Sequence, residues 1–290
     1  MNNVAVSQAK ARSSRLGGAP RLTVLSLGAG VQSTTLALMA AHGEITPMPD
    51  CAIFADTQAE PAAVYEHLRW LMSPNVLPFD VWIVTAGSLT EAIGAPRPKG
   101  KWPVMPIPAF IRGNDGVAAP ANRSCTRDFK IDPIIKQVRK LTGLTRRKGP
   151  ATPIVEQWIG ISTDEAQRMK PSRLAWIEHR WPLIENGISR GDCLRWLERN
   201  GYPKPAKSAC TFCPYHDDAA WQRLRDGDAA GWAQAIQVDE RIRDLWAGRK
   251  LSGMFLHRGM KPLADTVFRG DVHDVQPDLF GNECEGICGV

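Results

Sequence analysis

The sequence has no apolar run long enough to cross a bilayer, so no membrane partner is expected. It also lacks an internal repeat or a sustained heptad, which excludes solenoids and coiled coils. Residues Met1 to Pro20 carry Lys10, Arg12 and Arg15 but no apolar core, and read as a flexible basic arm instead of a secretory signal. Acidic residues are outnumbered: 36 Lys and Arg against 30 Asp and Glu leave a formal charge of +6 and a pI near 9.0. That bias favours anionic partners, from nucleic acid to small phosphorylated molecules. Seven cysteines is an odd count that does not suit a disulfide framework; it points to a reducing, cytoplasmic setting and to thiol or metal chemistry. The composition, 43% apolar and 23% charged over 290 residues, is otherwise ordinary and fits one large α/β domain, alone or with an appendage. Ten tryptophans should serve mainly as core, with one or two able to stack on a base.

Two common nucleotide-loop signatures are missing as well. No Lys-Ser/Thr follows Gly30, which argues against the usual triphosphatase loop, and Gly28-Ala29-Gly30-Val31-Gln32-Ser33 lacks the final small residue of a dinucleotide fingerprint. What is present from Arg21 to His42 is a strand, a tight loop and a helix. Leu22 to Leu27 is a short apolar, β-branched run, and Thr34 to Ala41 resumes on a helical period. Gly28 and Gly30 allow close backbone approach, and Ser33 and Thr34 place hydroxyls where the helix begins. The loop therefore suits an anionic group, a phosphate above all, although glycines also occur in strand-to-helix turns that bind nothing.

Further along, Cys51 to Ala55 reads as a buried strand that delivers Asp56-Thr57-Gln58-Ala59-Glu60 to its C-terminal end, the edge where parallel sheets bind ligands. Pro61 opens a helix with Val64, Leu68 and Leu71 on one face and Tyr65 and His67 off it. Asp80 to Thr85 is a third strand, and Ser88 caps a short helix. Gly94 to Asn122, with six prolines and four glycines, is expected to form a flap whose Lys99, Lys101 and Arg112 face anions, or else an ordinary solvated loop. A helix runs through Pro133 to Leu141, Arg146-Arg147-Lys148 makes a basic turn, and Ile154 to Ile161 is another strand. It ends in Gly160-Ile161-Ser162-Thr163-Asp164-Glu165, with Arg168 one helical turn past Glu165. Ser189 should cap a helix over Arg190 to Arg199 that stops at Asn200-Gly201, and helices follow around Ala219 to Leu224 and Ala230 to Trp246. Strands alternating with helices give a doubly wound, mostly parallel α/β sheet. The expected organisation is an arm (1–20), a nucleotide-binding domain (21–200) and a Cys-rich helical C-terminal region (201–290).

Cys210-Thr211-Phe212-Cys213 places two thiols in one turn, Cys284 and Cys288 lie near the end of the sequence, and Cys125 sits between Arg123 and Arg127. Structural zinc, an iron–sulfur cluster and a metal-free thiol couple are all compatible with these residues, and His216 could replace a cysteine. Cys51 and Cys193 read as buried packing.

The order of these motifs resembles the phosphoadenosine phosphosulfate reductase family within the adenine nucleotide α-hydrolase (pyrophosphate-loop) superfamily, especially phage and mobile-element members related to sulfur-transfer enzymes. The resemblance runs from Leu22 to Trp221. It rests on the glycine loop, Asp56-Thr57-x-x-Glu60, Cys125 with Lys130-x-x-Pro133, Gly160 with Glu165 and Arg168, Trp181-Pro182-Leu183, and Cys210-x-x-Cys213. Gln32 stands where the family loop has Asp, and Ser124-Cys125 stands where cluster-bearing members often have two cysteines.

The resemblance implies that ATP or an adenylyl-sulfate nucleotide, with Mg²⁺, is held by Ser26, Gly28, Gly30, Gln32, Ser33, Thr34, Asp56, Gly160, Glu165 and Arg168. It implies catalytic roles for Asp56, Lys130 and Cys284, the last in a Glu283-Cys284-Glu285-Gly286 segment similar to the reductases' Glu-Cys-Gly. It favours a [4Fe-4S] cluster over Zn²⁺, on Cys125, Cys210, Cys213 and Cys288. The leading expectation is an ATP-dependent adenylating sulfurtransferase. The alternatives are a phosphoadenosine phosphosulfate or adenylyl sulfate reductase, and a non-catalytic nucleotide- or DNA-binding module with structural zinc. A tRNA or DNA acceptor and a sulfur- or electron-donor protein complete the expected partners, with a homodimer allowed.

Overall fold

The structure is a computed structural model in which residues 19–98, 101–113, 118–120, 124–145, 148–246 and 251–268 are described. Most of the basic arm, Lys99, Arg123, Arg146, Arg147, the side chain of Arg112 and the tail with Cys284 and Cys288 lie outside the described residues.

The central sheet has five strands, all parallel: β1 (Leu22–Ser26), β2 (Cys51–Asp56), β3 (Asp80–Thr85), β6 (Val155–Ile159) and β7 (Ile177–Arg180). Their order is β3-β2-β1-β6-β7, so the chain runs outward from β1 on one side and then returns to build the other. The loops after β1 and β6 therefore meet at a topological switch point, where open α/β sheets bind ligands. Side chains alternate along each strand. Leu25, Ala52, Phe54 and Trp158 face one layer, with α1 (Val31–Ala41), α2 (Ala62–Leu71) and α6 (Arg190–Arg199). Val24, Cys51, Ile53, Ala55 and Val155 face the other, with Ile134 and Val138 of α4 (Asp132–Leu141). Helices on both faces confirm the doubly wound α/β expectation.

Cys51 and Cys193 are buried as packing, and Trp158, Trp181 and Trp221 are fully enclosed. The expected caps form: Ser88 accepts from Glu91 N–H to start α3 (Leu89–Ala92), and Ser189 and Asp192 make a reciprocal capping box at α6. α5 (Pro182–Glu185) follows directly on β7.

A second, antiparallel sheet departs from the expected flap or solvated loop. β4 (Phe110–Gly113) lies between β5 (Ala118–Pro120) and β8 (Leu251–Phe255). These strands are three to five residues long, and the β4 partner lies some 140 positions away, so local periodicity carries little trace of them. β8 packs with α7 (Asp218–Gly227) and α8 (Ala229–Arg243) in an apolar cluster that includes Ala59, Leu89, Ile107, Phe129, Phe212 and Trp221. That cluster sets the cysteine turn at residues 210–213 against the exit of β2. β7 was also unmarked in the sequence; its Glu178-His179-Arg180 run suits the edge it occupies. No helix among the described residues is long and apolar enough to cross a membrane.

Ser189→Ala removes one half of the α6 capping box. It should lower stability by about 1 kcal/mol in urea unfolding, without altering the slope of the transition.

Candidate functional site

The loop after β1 turns through Ala29, whose φ of 55° is left-handed, while Gly30 is extended at φ −92°. The conformational demand thus falls on alanine and not on Gly30, where an added Cβ would meet Ser208 Cβ at 3.5 Å, an ordinary contact. α1 begins at Gly30 with no side-chain cap and no acidic residue in its first turn, leaving its leading N–H groups without intrahelical partners. Such a terminus carries partial positive charge and suits an anion.

Ser33 and Thr34 stiffen this loop. Ser33 Oγ accepts from Gly28 N–H at 3.2 Å and donates to the Gly30 carbonyl at 3.4 Å. Thr34 is fully buried, with its Oγ1 3.0 Å from His67 Nε2. His67 corrects the expectation that it lies off the apolar face of α2: it is 8% exposed, tilted against Trp70. Burial lowers its pKa from 6.5 to about 4. Ser26 is buried in β1 and accepts from Gln157 Nε2 at 2.7 Å. Gly160 is required by close approach, since a Cβ there would stand 3.0 Å from the N and Cα of Ser33.

Gln32 is buried and bonded through both ends of its amide. Its Nε2 donates to Glu165 Oε2 at 3.1 Å and to Ser162 Oγ at 3.5 Å, and its Oε1 accepts from Arg190 Nη1 at 2.7 Å. Arg168 holds the other oxygen of Glu165 at 2.6 Å, within the 3₁₀ turn Thr163–Arg168. The expected Glu165 and Arg168 therefore converge on the loop through Gln32. Arg190 was missed, although its place just after the Ser189 cap put it at a helix N-terminus.

At the end of β2, Asp56 Oδ1 accepts from Tyr65 Oη and from Gln58 N–H, both at 2.7 Å. Burial and this bond push the Tyr65 phenol well above its usual range. Lys130 reaches Glu60 Oε1 at 3.3 Å from a wide-turned π-helical segment, Thr126–Ile131, which runs straight into α4. Glu60 and Lys130 line a water-sized cavity with Gly28, Ser208, Leu27, Phe54 and Ile134, beside the loop after β1.

On its other side Glu60 touches the cysteine turn. Cys210 Sγ lies 3.9 Å from Glu60 Oε1 and 3.4 Å from Thr57 Oγ1. Burial, then the charge of Glu60, push the Cys210 thiol far up. Thr211 N–H donates to the Ala59 carbonyl at 2.8 Å, and Cys213 N–H to the Cys210 carbonyl at 2.9 Å. Cys125 packs in the same cluster and interacts electrostatically with Cys210. Arg127, expected beside Cys125, is exposed and paired with Asp128 at 2.7 Å. His216 Nε2 donates to the Cys210 carbonyl at 3.0 Å, so that nitrogen buttresses the turn. Among the described residues no three His, Cys, Asp or Glu side chains converge so as to hold a single metal ion. Cys210 is the thiol placed beside the buried Glu60 carboxylate, and thiols of this kind suit thiophilic metals.

No family model matches the chain, and neither does any curated protein. Among solved structures the chain is similar to a phosphoadenylyl-sulfate reductase from Candida auris in its phosphate complex, at 12% identity and a TM-score of 0.38, over 69% of this chain and 81% of that one. It is also similar to the U34-tRNA thiolase NcsA from Methanococcus maripaludis with its [4Fe-4S] cluster, at 11% identity and a TM-score of 0.36, over 82% of this chain and 79% of that one.

Gly160→Ala requires the turn after β6 and the start of α1 to separate by a few tenths of an ångström, and should lower stability by about 1 kcal/mol in urea unfolding. Between pH 6.5 and 4 the folded state binds fewer protons at His67 than the unfolded chain does, so stability present above pH 6.5 is lost as pH falls through that window. The loss from His67 should be on the order of 2 kcal/mol in urea unfolding, and His67→Gln should remove it.

Proposed function

We propose that this chain is a nucleotide-dependent enzyme of sulfur chemistry, an adenylating sulfurtransferase that uses ATP. The observation that carries this reading is Glu60, which lines the cavity beside the loop after β1 and also touches the Cys210 thiol, joined to both sides by Lys130. A phosphate-binding loop alone suggests any nucleotide enzyme, and a cysteine turn alone suggests a structural metal. Their meeting at one ion pair supports a reaction that uses both a nucleotide and sulfur.

The chain's own groups divide the work. The leading N–H groups of α1 receive phosphate oxygens, and the Gln32–Glu165–Arg168–Arg190 network holds the loop in shape. Lys130 sets positive charge at the cavity wall, where it offsets negative charge developing on a phosphoryl group. Asp56, fixed by Tyr65 and Gln58 at the end of β2, is the carboxylate for a magnesium ion, because the loop has none and Glu165 is engaged by Arg168 and Gln32. Cys125, Cys210 and Cys213 would hold an iron–sulfur centre. When bound, Mg²⁺ with the triphosphate supplies Lewis-acid charge, and the iron–sulfur centre supplies sulfur. ATP is needed because the oxygen to be replaced is a poor leaving group until it is adenylated. The reading needs no contribution from Cys284, which the reductase alternative requires as nucleophile. The net charge of +6 supports an anionic acceptor such as tRNA or DNA.

Anaerobically prepared protein should release pyrophosphate from ATP in the presence of bulk tRNA or DNA, and Lys130→Met should slow that release by about 100-fold. Sulfite release from phosphoadenosine phosphosulfate, without pyrophosphate release from ATP, would overturn the transferase reading.

A further inference from the structure

The two edges of the central sheet are finished differently. The sheet ends in β7 on one side and in β3 on the other, and among the described residues each pairs with a single neighbour. β7 is short and carries Glu178, His179 and Arg180, the polar finish that keeps an edge from pairing again. β3 has no such protection. It runs Asp80-Val81-Trp82-Ile83-Val84-Thr85, with its one charge at the first position, no lysine, no proline and an unbroken register against β2. Trp82 is 41% exposed and Ile83 50%. Met72, 40% exposed, lines with Leu77, Phe79 and Trp82 a groove of about 460 Å³ beside the strand. Exposed apolar side chains next to an open strand edge mark an interaction surface.

We propose that a second copy of this chain docks on β3, edge to edge and antiparallel, joining two five-stranded sheets into one of ten strands. The sequence of the strand selects this occupant. A two-fold axis across the edge stands perpendicular to the sheet and keeps each face on its own side, so opposed residues must point to the same face. Val81 packs into the layer of α1 and α2, and Val84 into that of α4, so the faces alternate and the axis must pass through a residue. An axis at Trp82 sets Trp82 against itself and Val81 against Ile83; an axis at Ile83 sets Ile83 against itself and Trp82 against Val84. In both registers apolar side chains meet apolar ones through the middle of the strand, which is the favourable cross-strand pairing. The two Asp80 carboxylates lie toward opposite ends, roughly 13 to 20 Å apart, so no like charges are opposed. A six-residue strand spans only about 20 Å and, even with the groove, gives a contact at the small end of specific interfaces, so the dimer is a weak one. Because the strands run oppositely, the two candidate sites open at opposite edges of the joined sheet and each copy keeps its own.

Sedimentation velocity of the full-length protein, from about 1 to about 200 µM, tests this. The mass should climb with concentration from 31.9 kDa toward twice that value. Trp82→Lys and Ile83→Lys should each weaken association by about tenfold or more, while Val267→Lys, at an 89% exposed position outside the central sheet, should leave it unchanged. A residue on the axis faces its own copy at about 4.5 to 5.5 Å between Cα atoms, within reach of a disulfide. An external disulfide reagent, itself reduced to two thiols, should therefore link either Trp82→Cys or Ile83→Cys into covalent dimers, well ahead of wild type and of Val267→Cys. This second measurement keeps the test sound if a lysine variant folds poorly. A constant mass of 31.9 kDa across the range, association untouched in both lysine variants, or cross-linking no faster than in Val267→Cys would each overturn the proposal. So would a monomer that dimerises only after deletion of residues 1–18 or 269–290, which would assign the edge to that segment of the same chain.

Discussion

An ion pair withdrawn from water holds the two halves of the candidate site together. Lys130 and Glu60 come from a helix and from a strand exit, elements that have no other reason to agree on a position to within an ångström. Removing such charges from water costs several kcal/mol apiece, and their attraction returns that only when the geometry is good. A pair of this kind contributes little net stability over apolar side chains of the same size. What it does contribute is placement: each partner is strongly penalised if it moves without the other. The loop after β1, the exit of β2, the cysteine turn and the start of α4 are all referred to that one contact.

The loop after β1 is set by a different device, a neutral amide between charged groups. Gln32 donates to one oxygen of Glu165 while Arg168 holds the other, and Arg190 donates to the Gln32 carbonyl. An aspartate at position 32 would turn a carboxylate toward Glu165 and leave that glutamate short of a donor. The glutamine is thus matched by its neighbours, and the side chain acts as a strut. The backbone N–H groups that open α1 do not depend on the residue type at that position.

Much of this could be read from the chain. β1, β2, β3 and β6 are short β-branched or apolar runs, and their alternation with helices fixed the layer order. Ser88, Ser189 and Asn200-Gly201 marked helix ends through chemistry that is local by nature. What escaped was non-local or disguised. β4 and β8 are too short to show a period and find each other only through the fold. His67 lies three residues after Val64 and so on the apolar stripe of its helix; its polarity, not its position, concealed it. The glycines of the loop suggested left-handed backbone, yet Ala29 is the residue that adopts it. Arg190 and Ser208 reach the site from beside a helix cap and a cysteine turn, motifs that drew attention to their neighbours instead.

The wide turn ahead of α4 has a consequence of phase. In an α-helix, residues five apart are rotated by roughly two-fifths of a turn beyond a full revolution, whereas an i→i+5 turn brings them nearly into line. Cys125 precedes that turn and packs in the apolar cluster with Cys210, while Lys130, its next-to-last residue, reaches Glu60. Beyond Ile131 the helix resumes ordinary winding, with Pro133, Ile134 and Val138 against the sheet. One extra residue in a single revolution therefore lets the same rod present two stripes that ordinary winding would keep out of step: a chemical one at its head and an apolar one along its body. The segment acts as a vernier, and shortening it by one residue would leave the core in register only by turning the thiol away from its partners.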